Sequence, residues 1–442
     1  MASFSLTHQS SNSYSSSVFF SAILFLVFIV SFSNAQPASS SRPQGVVLPV
    51  TKDSSTLQYL TYIKQGTPLV AESLVVNLAG EILWVDCQEG YVSTSNRSLN
   101  CLGSECLKLQ KISKSCGPYS AQPGRKTFNT CIIFLRNSFS GTSTEPFNYF
   151  ISDVVSTQSC INGSKSGPNV TVRNFSFGCG STSLLKGLAE RVKGMAGFGP
   201  FGVSVPSQLS LAFRIPRVFA MCLPSSTSSK GVIFIGGGPY IMQPGNDLST
   251  SLTYTPFYTN PIAFSTSEYY IQVNSIKIGE AKIRIYSNST EYRFRILTTI
   301  NTLIPYTVMR TSIYNQFSSI FSEQAKAMNI PRVAPVAPFG NCFDSRNISG
   351  SWMGAVVPMI SLVLHKENVV WKIFGPNSMV SVSDEVSCLG FVDGGNDANM
   401  LVIGGYQLED NLLEFNLAKM RLGFTTTLGR RRQTSCSNFG FQ

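Results

Sequence analysis

The chain has 442 residues, 43% of them hydrophobic, 11% aromatic and only 13% charged. That balance excludes a disordered chain and supplies apolar material for two or three domains or one large two-lobed body. The formal charge of +11 favours acidic partners, yet the basic residues are scattered apart from Arg430-Arg431-Arg432, which reads as a solvated tail, and no recognition motif accompanies them, so nucleic acid is not expected.

The first feature along the chain is an apolar run, Val18 to Phe32, followed by Ser33-Asn34-Ala35 with small residues at the −3 and −1 positions of a cut after Ala35. This predicts a secretory signal peptide over residues 1–35, because the run is shorter than the ~20 residues a spanning helix needs. No later segment is long and apolar enough to span, so a soluble chain with no membrane partner is expected after signal removal. Residues 36–45 read as a flexible entry.

From Gly45 onward, short β-branched runs alternate with Gly, Pro, Asn and Ser. "GVVLPV", "QYLTYIKQG", "SLVVNLAG", "GVIFIGG", "YYIQVNSIKIG" and "MLVIGGYQ" predict strands and an all-β chain. A short helix is predicted in "VPSQLSLAF" after Pro206. The Ser-rich stretch Cys222 to Gly231 predicts a boundary between lobes at 46–225 and 226–442. The best helical segment runs from Thr311 to Pro331: Ile313, Phe317, Ile320, Phe321 and Met328 fall near one face, Thr311 can cap the start, and Pro331 stops it.

The two halves show a faint repeat. An apolar strand leads to a turn at Asn77-Leu78-Ala79-Gly80, with "GMAGFG" (Gly194 to Gly199) following later. In the second half the turn lies near Asn301-Thr302-Leu303, with "LVIGG" (Leu401 to Gly405) following. A duplicated β lobe with a cleft between the copies accounts for this pairing.

Six sequons, at Asn96, Asn162, Asn169, Asn174, Asn288 and Asn347, can accept N-glycans in a secreted chain. All 11 cysteines lie beyond the signal and would meet an oxidising compartment. They lack paired CxxC spacing and the chain has two histidines, so no metal site is expected. The odd count leaves at least one thiol without a partner in the chain; with seven cysteines crowded between Cys87 and Cys179, it is expected there.

The segments "IKQGTPL", "NLAGEILWV" and "LVIGGYQLEDNLLEFNLAKMRLGF" resemble elements of the pepsin-like aspartic protease family: its Gly-Thr-Pro opening, its first catalytic loop and its C-terminal element. "LWVDC", "GMAG" followed by "PSQL", "FAMCL", "PYTVMRTSIY", "RVAPVAPFGNCF" and "NSMV" resemble a narrower branch, the plant extracellular dermal glycoproteins. That branch includes xyloglucan-specific endoglucanase inhibitors, xylanase inhibitors and basic seed globulins. The resemblance covers nearly all of the mature chain. It implies a bilobal pepsin-like fold with few helices, no cofactor, a monomer, and residence in the apoplast or cell wall. The partner it implies is a secreted glycoside hydrolase of microbes or the wall, with acidic wall polysaccharide as a further partner that the basic charge allows.

Aspartic proteolysis needs two carboxylates sharing one proton, one to activate water and one to polarise the scissile carbonyl. By the resemblance, Asn77 and Asn301 stand where the family has its two Asp residues, and an amide can do neither task. The "NSFSGTSTEPF" segment, Asn137 to Phe147, has Phe139 but no Tyr suited to a flap. A catalytically inactive protein is therefore expected. Three other readings stand beside it: an active aspartic endopeptidase, other carboxylates such as Asp86 or Asp153 acting instead, and a wall-associated or storage-type glycoprotein that binds without inhibiting.

The resemblance assigns target binding to Arg332, just after Pro331 and so expected on an exposed loop, where a guanidinium could pair with a hydrolase carboxylate. A second arginine of the branch is replaced here by Ala398. The resemblance also implies bridges Cys222–Cys436 and Cys342–Cys388, and leaves Cys160 as the odd thiol.

Overall fold

The computed structural model describes residues 1, 3, 42–109, 112, 114–119, 127–143, 148–259, 268–285, 297–351, 354–396, 401–426, 428 and 434–442. Residues 4–35 of the expected signal peptide, the sequon at Asn288, Ala398 and Arg430-Arg431-Arg432 lie outside the described residues.

The spine is a run of six antiparallel strands. In order of pairing they are Val46–Lys52, Lys230–Ile235, Val218–Cys222, Leu412–Asn416, Arg421–Phe424 and Thr253–Tyr258. Three come from residues 46–235 and three from residues 253–424, and the two sets join where Val218–Cys222 meets Leu412–Asn416. The two edge strands each open an equivalent three-strand meander. In the first half Val46–Lys52 pairs with Tyr59–Gln65, which pairs with Val70–Asn77. In the second, Thr253–Tyr258 pairs with Tyr269–Gln272, which pairs with Leu297–Ile300.

The repeat continues beyond the meanders. Val70–Asn77 lies parallel to Gly194–Gly197, as Leu297–Ile300 lies parallel to Leu401–Ile403. Gly194–Gly197 is antiparallel to Trp84–Asp86, which is parallel to Lys165–Gly180. Leu401–Ile403 is antiparallel to Thr307–Met309, which is parallel to Phe391–Asp393. The duplicated turn-and-glycine pattern in the sequence corresponds to this repeated pairing.

Apolar residues from both halves meet around the spine. Phe219 stacks on Phe415 at 4.8 Å between centroids, and Tyr269 packs on Phe415 at 4.6 Å and edge-on to Phe257 at 5.1 Å. The Tyr269 hydroxyl donates to the Phe198 carbonyl at 2.8 Å, satisfying a polar tip that burial would otherwise penalise. Residues 43–442 form one compact unit.

Cys222 to Gly231 turns a hairpin between two directly paired strands. Two expectations about helices are adjusted. The long helix spans Thr311–Ala327 with Arg310 at its cap; the Thr311 hydroxyl bonds Asp393 instead. Ile313, Phe317 and Phe321 are buried, Ile320 only partly, and Met328 is exposed beyond the helix end. There the chain turns through Asn329 at φ 60°, a conformation Asn tolerates, before Pro331. The short helix runs Val205–Phe213 and includes Pro206 in its first turn.

Ten cysteines pair: Cys87–Cys179, Cys101–Cys116, Cys106–Cys131, Cys222–Cys436 and Cys342–Cys388. Cys160 is free and partly buried.

Candidate functional site

The strand Val70–Asn77 delivers Asn77 to its C-terminal end, opposite Gly197. The Asn77 backbone carbonyl accepts from Gly80 at 3.1 Å and from Phe198 at 2.8 Å. Its side-chain oxygen accepts the Ala79 amide at 3.1 Å, and its Nδ2 is directed at the Met195 sulfur at 3.7 Å. Asn77 is buried. Gly80 and Gly197 permit the close approach: a Cβ on Gly80 would lie 2.8 Å from the Gly197 Cα, and one on Gly197 would lie 2.3 Å from the Ile82 carbonyl oxygen.

The second half builds the same turn. Asn301 follows Leu297–Ile300 and its amide donates to the Ile403 carbonyl at 2.9 Å. Its side-chain oxygen accepts the Leu303 amide at 2.7 Å. Each asparagine therefore closes an Asx turn with the residue two positions on. Thr302 ties the two turns together. Its hydroxyl donates to the Val76 carbonyl at 2.7 Å and accepts the Leu78 amide at 3.1 Å. The corresponding position of the first turn is Leu78, with no hydroxyl to return the contact.

Asp86 and Asp153 occupy structural niches. Asp86 is buried and accepts the Thr182 hydroxyl at 3.0 Å and the Gln88 amide at 2.9 Å. Asp153, also buried, accepts the Tyr91 and Ser95 hydroxyls. Neither has a second carboxylate among these partners. In the segment beginning at Asn137, the Asn137 amide donates to Leu184 and Lys186 carbonyls and its oxygen accepts Phe139 and Ser140 amides, forming a local turn. Among the described residues no three His, Cys, Asp or Glu side chains cluster as a metal site requires.

Arg332 is exposed, but on the strand Arg332–Val333 paired with Cys342–Asp344, not on a loop. One terminal nitrogen donates to the Gly340 carbonyl at 2.9 Å, fixing one edge of the guanidinium. Of the sequons described, Asn162, Asn169, Asn174 and Asn347 are exposed and Asn96 is half-buried.

Sequence reasoning missed a buried charged cluster between the halves. Lys52 lies 2.6 Å from the Glu409 carboxylate, both nearly inaccessible. The Tyr59 hydroxyl donates to Glu409 at 2.7 Å. Burial pushes the Glu409 carboxyl up to about 7, opposed by Lys52 and by the Tyr59 hydrogen bond. The partners stand more than three hundred residues apart, so no local pattern could reveal the pairing.

Residues 59–237 match a family described as xylanase inhibitor N-terminal, and residues 268–426 match one described as xylanase inhibitor C-terminal. A protein described as probable aspartic proteinase GIP2, from Nicotiana benthamiana, is 48% identical over 430 residues, 94% of this chain and 96% of that protein. The crystal structure of edgp is similar at a TM-score of 0.85 and 46% identity, covering 91% of this chain and 99% of that one. An aspartic proteinase from Irpex lacteus, 13% identical, has a TM-score of 0.51 over 88% of this chain and 100% of its own; that likeness concerns the fold alone, which is bilobal and pepsin-like.

Proposed function

The chain belongs to the xylanase-inhibitor-type family of pepsin-like proteins, and from that premise we propose that it is a catalytically inactive member that binds and blocks a secreted glycoside hydrolase in the plant apoplast or wall. The observation that carries the reading is at the paired turns. The two turns joined by Thr302 present Asn77 and Asn301, and both side-chain oxygens are engaged by amides of their own turns. An amide does not ionise in the range where a carboxylate dyad works, so it can neither take a proton from water nor give one to a scissile carbonyl. The five disulfides fit an oxidising, extracellular setting.

Glycoside hydrolases hold two carboxylates in an open cleft. A basic protein is steered towards such a cleft, and an exposed arginine can pair with one carboxylate. Arg332 is our candidate because it is exposed and held along one edge by Gly340, so less side-chain freedom is lost on binding.

The test uses the purified full chain, immobilised and challenged with secreted fungal and oomycete endoglucanases and xylanases, with residual hydrolase activity measured. Acid cleavage of denatured haemoglobin is assayed in parallel, with and without pepstatin. Capture with loss of hydrolase activity and no peptide release is expected. Pepstatin-sensitive peptide release would return the chain to the proteases; capture with full hydrolase activity would leave a binding glycoprotein.

A further inference from the structure

Away from the paired turns, four strands form a separate sheet in the order Ala281–Arg284, Ser275–Ile278, Ile360–Val363, Val370–Ile373. One face packs inward through Ile276, Ile278, Ile283, Leu362, Trp371 and Ile373, all buried. Strand alternation places Lys277, Lys282, Ser361 and Lys372 on the other face, where Lys282 and Lys372 are exposed, Lys277 is half-buried and Ser361 is buried between them, so a ligand meets the lysine ammonium groups and not the serine. The register aligns them in one row: Lys282 opposite Lys277, Lys277 opposite Ser361, Ser361 opposite Lys372. At ~4.8 Å between strands this row is roughly 14 Å long.

We propose that this row is a binding strip for a linear polyuronate, an anionic polysaccharide with one carboxylate on every sugar. It supplies a site for the acidic-polysaccharide partner that the net charge allows, and it does not depend on hydrolase inhibition.

Directly opposed like charges destabilise a sheet pair, so Lys277 facing Lys282 calls for an anion nearby. The chain supplies one. The carboxylate of Glu367, from the turn after Ile360–Val363, sits 2.9 Å from the Lys282 ammonium. Lys282, then Lys277 and Arg284, hold that carboxyl below the usual range. The strip thus already accommodates a carboxylate. The charged residues of these strands and their turns are Lys277, Lys282, Arg284, Lys366 and Lys372 against Glu280 and Glu367; His365 accompanies them, its Nδ1 within 2.9 Å of the Thr255 hydroxyl.

A linear polymer fits better than the other polyanions. The row lies across a sheet face instead of inside a pocket, so affinity must come from several weak contacts made together. Along a 1,4-linked uronate chain the charge repeat is one sugar, comparable to the strand spacing. Among the described residues the lysine face carries no aromatic side chain on which a nucleobase could stack. None of the sheet's residues is an exposed large apolar one that could anchor in a lipid surface.

The experiment measures binding of the full chain to polygalacturonate, its fully methyl-esterified form, anionic phosphatidylserine vesicles and duplex DNA. The strip variant is Lys277→Glu/Lys282→Glu/Lys372→Glu. The control reverses three exposed lysines elsewhere, Lys64→Glu/Lys230→Glu/Lys419→Glu. The expected result is salt-sensitive binding to polygalacturonate but not to its ester, weakened about tenfold or more in the strip variant and less than about threefold in the control. Glu367→Gln, which removes the internal competitor, should tighten binding by about twofold. Hydrolase capture should be the same for both triple variants, so this proposal and the hydrolase reading can fail separately. If the charge-reversed strip lowers the melting temperature, the Lys→Gln triple at the same positions serves instead. Equal weakening by strip and control would reduce the effect to net charge and overturn the proposal. So would absent polygalacturonate binding, or tighter binding to vesicles or DNA.

Discussion

The hydroxyl of Thr302 accepts the backbone amide of Leu78 at 3.1 Å while donating to the carbonyl of Val76 at 2.7 Å. One side chain from the second half thereby satisfies two backbone groups of the first. The contact is one-sided, since Leu78 offers nothing in return. Thr302→Val keeps the shape and removes both bonds. It should lower unfolding free energy by about 2 kcal/mol, because buried backbone groups lose their partner. Thr302→Ser should recover most of that loss. Denaturant unfolding checks both; an unchanged midpoint for the Val variant would show the contact to be dispensable.

Arg332 is exposed and its role is tested by function, not by stability. Arg332→Ala should weaken hydrolase inhibition by about 2 kcal/mol or more, roughly thirtyfold in the inhibition constant. Arg332→Lys should not restore it, since an ammonium lacks the planar fork. Melting temperature should stay within about 2 °C for both. Unchanged potency of the Ala variant removes Arg332 from the interface.

Glu409 makes stability pH-dependent. Its carboxyl lies at about 7 in the folded chain against an ordinary 4.5. Between those values the folded protein keeps a proton that the unfolded chain has released. Stability therefore rises as pH falls through 7 and the gain is complete below about 4.5, amounting to up to about 3 kcal/mol. Glu409→Gln should flatten this dependence. Urea unfolding at a series of pH values decides it, and equal slopes in the two proteins would assign the dependence elsewhere.

Cys160 is the one cysteine outside a disulfide, and burial pushes its thiol up to about 11. Thiol titration of the denatured, unreduced chain should find one reactive group. In the native protein at mildly alkaline pH it should react on the order of 100-fold more slowly than an exposed cysteine, since only the thiolate attacks. Fast native labelling, or a count above one, would contradict the pairing.

The strands and their duplication were legible because side-chain alternation and turn glycines are local signals. The turns that hold Asn77 and Asn301 carry the same local signal, an apolar strand ending in a turn, whereas their match to a catalytic dyad came only from the family resemblance. Thr302 was visible as a residue but not as a bridge, since nothing near it in sequence indicates that its hydroxyl would reach Val76. The hairpin at Cys222 to Gly231 was hidden for a related reason. Serine marks exposed backbone, and a hairpin between adjacent strands exposes it as a linker does.

The sequence by itself determined the residue chemistry: amides at both turns, an odd number of thiols, an excess of positive charge and a β-forming pattern repeated twice. Tertiary structure alone decided which of those groups meet. Lys52 finds Glu409, and the hairpin that carries Lys277 and Lys282 comes into line with Lys372 across Ser361, because the fold brings together segments far apart in the chain. Burial then shifts their charges and their cost, and burial is a property of the packed molecule that no local stretch of sequence carries.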